Sequence, residues 1–274
     1  MEVENETILF IFLALFAIVI FYLSLKTIEM MYVMRKKRPF YVHFYPLKKK
    51  LSEEQKNILN TQFSFYQRLN EKEKLFFEHR AAMFIKDKQF IGQKGTVVTE
   101  EMKVLISATA IMLTFGFRDF YIGLIDRILI FPEEFYSSMN NEYHQGEFNP
   151  KLKALVLSWP HFKKGFDIEN DNLNLGIHEF THAIHLNSIK ERDVSSNIFQ
   201  DSFKELTNLL TSQEELRDSI IKTKYFRNYA YTNQYEFLAV IIEHFIESPK
   251  DLQVQFPQIY SKVRQMLNFN FAGY

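Results

Sequence analysis

The sequence predicts an α+β protein, mainly α, in which one transmembrane helix precedes a domain holding a small β-sheet. Three observations carry this. An uncharged apolar run, ILFIFLALFAIVIFYLSL, fills residues 8–25. Helical periodicity with capping signals dominates the remainder. Only two short runs, RILIF and ALVLS, have strand character and turn residues at their ends.

As a helix, residues 8–25 extend about 27 Å, close to the hydrocarbon thickness of a bilayer. The run is too long for the apolar part of a signal peptide, and no small-x-small cleavage pattern follows. Acids precede it (Glu2, Glu4, Glu6); bases follow it (Lys26, Arg35, Lys36, Lys37, Arg38, then Lys48, Lys49, Lys50). The positive-inside rule therefore makes residues 1–25 a short external tail and a single span of a bacterial-type inner membrane. Everything after it is then cytoplasmic. Residues 26–50, basic and punctuated by Pro39 and Pro46, read as a juxtamembrane linker, either solvated or resting on anionic headgroups.

Residues 51–274 read as one domain. SEEQ at 52–55 and NEKE at 70–73 have capping-box form, and each opens an amphipathic helical pattern. Thr99 is placed to cap a helix reaching about residue 113. Arg127–Phe131, ended by Pro132, and Ala154–Ser158, ended at Trp159 and Pro160, follow as strands. Asp171, Asn172 and Asn174 are N-cap candidates for a helix whose apolar stripe is Leu173, Ile177, Phe180 and Ile184. A later helix, Gln234–Glu247, stops before Pro249, and a last one covers about 257–267.

Bulk composition narrows the function. Thirty-three basic and 33 acidic side chains cancel, so no net charge points to nucleic acid. The 29 phenylalanines are spread through helical patterns, as core packing requires, rather than set out as a base-stacking surface. With no cysteine, a disulfide framework and a thiolate metal site are both excluded.

The most informative stretch is GIHEFTHAIH, residues 176–185. His178 and His182 are four apart, so on a helix they share a face one turn apart. This fits H-E-x-x-H, in which two imidazoles bind zinc and the glutamate works on water. A catalytic zinc needs a third protein ligand. His185 lies about 10 Å along the helix axis from His178, too far to close on the same ion, which leaves it a place at the rim or behind the ligands. Ten residues after His178 the chain has Ser188. Glu236, entering an apolar helix, is the best remaining candidate, because a carboxylate there needs a partner. The alternative is that Asn233 caps the helix and Glu236 merely completes a capping box. Glu243, two turns on, is placed either to accept a hydrogen bond from a zinc-bound imidazole or to lie on the helix surface. Glu205, Glu214 and Glu215 read as solvated.

LSWPHF, NLGIHEFTHAIH and YAYTNQYEFLAVIIEHFIESP, in that order, resemble the successive signatures of the Mlc titration factor A (MtfA-like) family of zinc-dependent peptidases. KDKQFIGQKGTVVTEEMKVLISATAIML and ILIFPEEFY resemble its upstream region, so the likeness covers roughly 50–265. The resemblance implies a zincin-like metallopeptidase domain of gluzincin type. His178, His182 and Glu236 match its zinc ligands, Glu179 its catalytic base, and Tyr229 a tyrosine near the metal. Two features depart from the pattern: His185 stands where the family usually has Asp, and LNSIKERDVSSNIF lacks the usual glycine. A different loop after the metal helix, and a different substrate preference, are therefore expected. The resemblance also implies a regulatory protein partner, left unidentified because the founding member is soluble.

The expected function is hydrolysis of peptide bonds in a peptide or protein substrate by a membrane-anchored peptidase with one zinc ion. Glu179 is its general base, and Tyr229 its oxyanion donor, with Tyr225, Tyr231 and Tyr235 as competitors for that place. Ala154–Ser158 is the expected edge for pairing with an extended peptide. The alternative is a regulatory binding protein that sequesters a partner at the membrane with vestigial activity. A purely structural zinc is disfavoured, since such sites are closed by four protein ligands.

Overall fold

The structure, a computed structural model, describes residues 2–137, 141–167 and 171–274. It opens with α1 (Glu2–Lys36), of which Glu6–Lys36 is long and apolar enough to cross a membrane. None of its most apolar window is buried in the protein, so it is no core helix. The expected boundary at residue 26 is not a helix end. KTIEMMYVMRK contains no breaker, and the helix runs on until Lys37 turns left-handed at φ 51° ahead of Pro39. The presumed linker is therefore helical to Lys36 and irregular from 37 to 50.

The domain continues through α2 (Glu53–Gln62), α3 (Ser64–Arg68), α4 (Glu71–Asp87), β1 (Gln89–Gly92), α5 (Glu100–Leu113), β2 (Arg127–Phe131), β3 (Phe135–Ser137), β4 (Glu142–His144), β5 (Gly146–Asn149) and β6 (Ala154–Ser158). Then come α6 (Trp159–Asp167), α7 (Leu175–Lys190), α8 (Val194–Ser212), α9 (Glu214–Thr223), a 3-10 turn (Asn228–Tyr231), α10 (Gln234–Glu247), α11 (Pro249–Gln255) and α12 (Pro257–Met266). Both expected capping boxes form: Ser52 with Gln55 opens α2, and Asn70 with Glu73 opens α4. Thr99 caps α5, accepting from Met102 N–H. Mainly helical with small sheets, the chain has the expected fold class.

The four-stranded sheet has the order β1-β2-β6-β5. β1, β2 and β6 are parallel; β5 runs antiparallel to β6, pairing Gly146 with Leu157 and Asn149 with Ala154. This corrects the edge expected at Ala154–Ser158. That strand is interior and buried along its whole length, and the outer strand is β5. GEFN has a single large apolar side chain and no alternation, so nothing in its pattern announced a strand.

At the centre lies α5, buried continuously from Val104 to Leu113 between α2, α4 and α7. Phenylalanines fill the space around it: Phe65, Phe77, Phe115, Phe245 and Phe269 are fully or almost fully buried. Of the stripe expected on α7, Ile177, Phe180 and Ile184 are buried, but Leu173 is exposed and precedes the helix.

Arg80 on α4 is fully buried. Its guanidinium donates to the carbonyls of Thr114 (2.8 Å), Phe115 (3.1 Å) and Phe117 (2.6 Å) past the end of α5. It also donates to Val42 O at 3.2 Å and to the Tyr45 hydroxyl at 2.6 Å, and it lies 4.5 Å from the centre of the Phe120 ring. A cation suits the carbonyls that follow a helix C-terminus, and here it ties the 42–45 segment to them.

Candidate metal centre

Two helix starts build the site. Asn174 caps α7, its Oδ1 accepting from Ile177 N–H at 3.0 Å and its Nδ2 donating to Gly165 O at 2.8 Å. Asn233 caps α10, accepting from Tyr235 N–H (2.8 Å) and Glu236 N–H (3.1 Å). Glu236 turns its carboxylate toward the histidines of α7. Its Oε2 lies 2.9 Å from His178 Nε2 and 3.4 Å from His182 Nε2, and the two Nε2 atoms are 3.1 Å apart. These three side chains offer one donor atom each within 4.8 Å of one another, the group among the described residues that can hold a metal ion. Two imidazoles and a carboxylate, with no thiolate, suit a borderline cation such as zinc.

Behind His178 stands Glu243, fully buried. Its Oε1 lies 2.6 Å from His178 Nδ1, which fixes a proton there and turns Nε2 toward Glu236 and His182. Arg227 grips the same carboxylate with Nη1 to Oε2 at 2.6 Å and Nη2 to Oε1 at 2.8 Å, and donates to Asn172 O at 2.6 Å. Asn174 N–H reaches Glu243 Oε2 at 3.2 Å. Sequence reasoning missed Arg227. The available signal was Glu243 itself, since an acid buried in an apolar helix requires a cation nearby.

The electrostatics follow from burial and these contacts. Burial opposes charge on His178, but hydrogen bonds to Glu236 and Glu243 push its imidazole up to about 9. Burial would likewise raise Glu236, yet its hydrogen bonds to His178 and His182 hold the carboxyl far below the usual range. Glu179, buried on the floor of the cleft, is raised by desolvation in spite of the nearby histidines and a hydrogen bond from Phe148 N–H. Burial, with Glu236 and Glu179 nearby, pushes the Tyr229 phenol up to about 12, so it stays a hydrogen-bond donor at neutral pH.

Tyr229 stands at the cleft wall with its ring 5.8 Å from that of His178. The rival tyrosines are engaged elsewhere: Tyr225 OH donates to Asp251 (2.8 Å), and Tyr231 OH donates to Ile220 O (3.1 Å). Tyr235 packs on His185. His185 does not join the converging group. It is buried against Phe199, Phe203 and Tyr235, and desolvation pushes its pKa down to about 4. Glu214 and Glu215 are solvated as expected. Glu205 is not, because it is half-buried against Lys262 (2.7 Å) and Lys37 (3.6 Å).

The cleft has two hollows that share His178, Glu179 and Tyr229. One, of about 480 Å³, is polar, with Glu134, His161, Lys164 and Arg227. The other, of about 410 Å³, is bordered by Phe148, His185, Leu186 and Tyr235. β5 presses closely on α7 at Gly146, where a Cβ would come within 2.6 Å of Leu175 and 2.8 Å of Glu179. Glycine keeps the edge strand against the cleft floor.

The chain is 24% identical over 222 residues to an uncharacterized protein of Synechocystis sp., an alignment covering 76% of this chain and 81% of that protein. Residues 34–268 match the family described as glucose-regulated metallo-peptidase M90. Because that match spans every element that frames the two histidines and their carboxylates, the chain belongs to the M90 family of glucose-regulated metallo-peptidases.

Proposed function

We propose that this protein is a zinc-dependent peptidase anchored by α1, with the domain on the cytoplasmic side of a bacterial-type inner membrane. The convergence of His178, His182 and Glu236 beside Glu179, on the floor of an open cleft, carries this reading. The donor set fits zinc, which when bound supplies Lewis-acid polarisation of a carbonyl and acidifies water. Glu179, its proton affinity raised by burial, takes the proton of the attacking water and passes it to the departing amine. Tyr229, a phenol at neutral pH, donates a hydrogen bond to the carbonyl oxygen as charge develops on it. Glu243 and Arg227 hold the orientation and tautomer of His178. The orientation in the membrane rests on the acids before the apolar run and the bases after it.

The decisive test is digestion of a peptide library by the full-length chain in detergent micelles, beside Glu179→Gln. Cleavage by the wild type that is lost in the variant supports a peptidase. Equal cleavage by both, or none by either zinc-loaded protein, favours the regulatory binding protein instead.

A further inference from the structure

We propose that residues 38–50 form a second membrane contact, an interfacial seat for the domain that takes anionic lipid headgroups; this rests on reading α1 as a span.

The chain reverses after α1 and runs back along it. Arg38 Nε donates to Tyr32 OH at 2.8 Å, and the Phe40 ring lies 5.4 Å from that of Tyr32. Tyr41 lies under the guanidinium of Arg118 at 5.4 Å, and Arg118 pairs with Glu29 of α1. In going from 38 to 41 the chain thus descends from the level of residue 32 to that of residue 29. Glu29 is four residues past the end of the uncharged run, about 6 Å along the helix axis, which is about the depth of one headgroup layer.

The segment is held firmly, and its outer face is bare. Inward, Val42 and Tyr45 are bound by the buried Arg80, and His43 stacks between Phe76 (4.6 Å) and Phe115 (4.7 Å). Outward, Phe40 is 69% exposed, Phe44 73% and Leu47 89%. A slack linker has no need of a buried arginine to order it. Here a rigid frame presents large apolar side chains to the outside. Between Glu29 and Glu53 there are seven basic residues and no acid, and Lys48, Lys49 and Lys50 are all exposed. Exposed aromatic side chains followed by lysines, on a segment that leaves the membrane end of α1, match the apolar and anionic layers of a bilayer surface.

The absence of native cysteine allows single-site labelling of the full chain. Phe44→Cys, Leu15→Cys in the span and Val254→Cys on the exposed side of α11 would each carry a bimane label. The proteins are reconstituted in vesicles of equal parts phosphatidylcholine and phosphatidylglycerol, with nitroxide lipid quenchers at the headgroup or deep in the chain. We expect headgroup quenching at 44 to exceed that at 254 by about threefold or more. We expect it to fall about twofold in pure phosphatidylcholine, and likewise when Lys48, Lys49 and Lys50 are all changed to Glu. Deep quenching at 15 with 44 behaving like 254 overturns the seat and leaves the span. No quenching at 15 overturns the span, and the seat with it. Quenching at 44 that ignores both phosphatidylglycerol and the lysine changes overturns the assignment to anionic headgroups.

Discussion

Glu243, with no exposed surface, lies 2.6 Å from His178 Nδ1, so the ring that faces the cleft with Nε2 is steered from behind by a carboxylate. Glu243→Gln retains the shape but weakens this hold and leaves Arg227 without its ion pair. Zinc affinity is expected to fall about 10–100-fold, as for other groups that orient a metal ligand. Competition against a chelator of known affinity measures it. An unchanged affinity would show that the ring needs no such support.

Glu236→Ala removes the one donor that α10 contributes to the converging group. Metal analysis after dialysis should find most of the zinc gone, whereas Glu214→Ala, on an exposed face of α9, should keep it. Glu205 is a poor control because its ion pairs tie α8 to α12. Full retention of zinc in Glu236→Ala would falsify the ligand assignment.

Tyr229→Phe should slow peptide hydrolysis by less than the roughly 100-fold or more expected for Glu179→Gln, since a general base is lost only in the latter. The cost should fall on kcat more than on KM, because the phenol acts on charge that appears in the transition state. His185→Ala should retain zinc, as the imidazole is packed among aromatic rings away from the three donors. Steady-state kinetics and metal content separate these outcomes.

The pH dependence of metal binding follows from His178, which burial would discharge but which hydrogen bonds to Glu236 and Glu243 push up to about 9. Its folded value lies above the ordinary 6.5, so in the metal-free protein this contribution to stability is complete below about 6.5 and disappears as pH rises through about 9. A cation at Nε2 must displace that proton. Binding at pH 7 should therefore release about one proton from this residue, and affinity should rise about tenfold per pH unit until near 9. Calorimetry in buffers of different ionisation enthalpy counts the protons; none released at pH 7 would contradict the assigned hydrogen bonds.

Arg80→Met leaves the carbonyls of Phe115 and Phe117 without the guanidinium and Thr114 O with only its bond from Phe117 N–H, in a region closed to water. A loss of about 3 kcal/mol or more is expected, from several buried acceptors at about 1–3 kcal/mol each. Denaturant unfolding of the full chain in micelles measures it. A loss under about 1 kcal/mol would mean that water takes the place of the guanidinium.

Elements whose signals are local were legible in the sequence. Ser52 with Gln55, Asn70 with Glu73, and Thr99 each mark a helix start through a hydrogen bond that spans three residues. His178 and His182 are neighbours by helical spacing alone. What could not be read lacks a local pattern or depends on pairing between separate segments. The interior place of Ala154–Ser158 is decided by β2, from an earlier part of the chain, on one side and on the other by β5, its hairpin neighbour, whose GEFN has no strand pattern. Arg227 meets Glu243 across 16 residues and a turn. Between Asn233 as a simple cap and Glu236 as a donor to the histidines, spacing could not choose, because the same residue serves the cap through its backbone N–H and faces the histidines through its carboxylate.

α1 passes from its apolar stretch to its docked end without a hinge, Val33 resting on Val194 and Ile198 and Lys37 paired with Asp201 at 2.7 Å. Its 31 residues from Glu6 make a rod of about 46 Å, longer than the roughly 30 Å of bilayer hydrocarbon. With the rod in a bilayer, the height of the cleft above the lipid becomes a constant of the fold. On the proposed reading of α1 as a span, such a molecule would work as a ruler, reaching chains that pass at one distance from the surface and not those that lie nearer or farther.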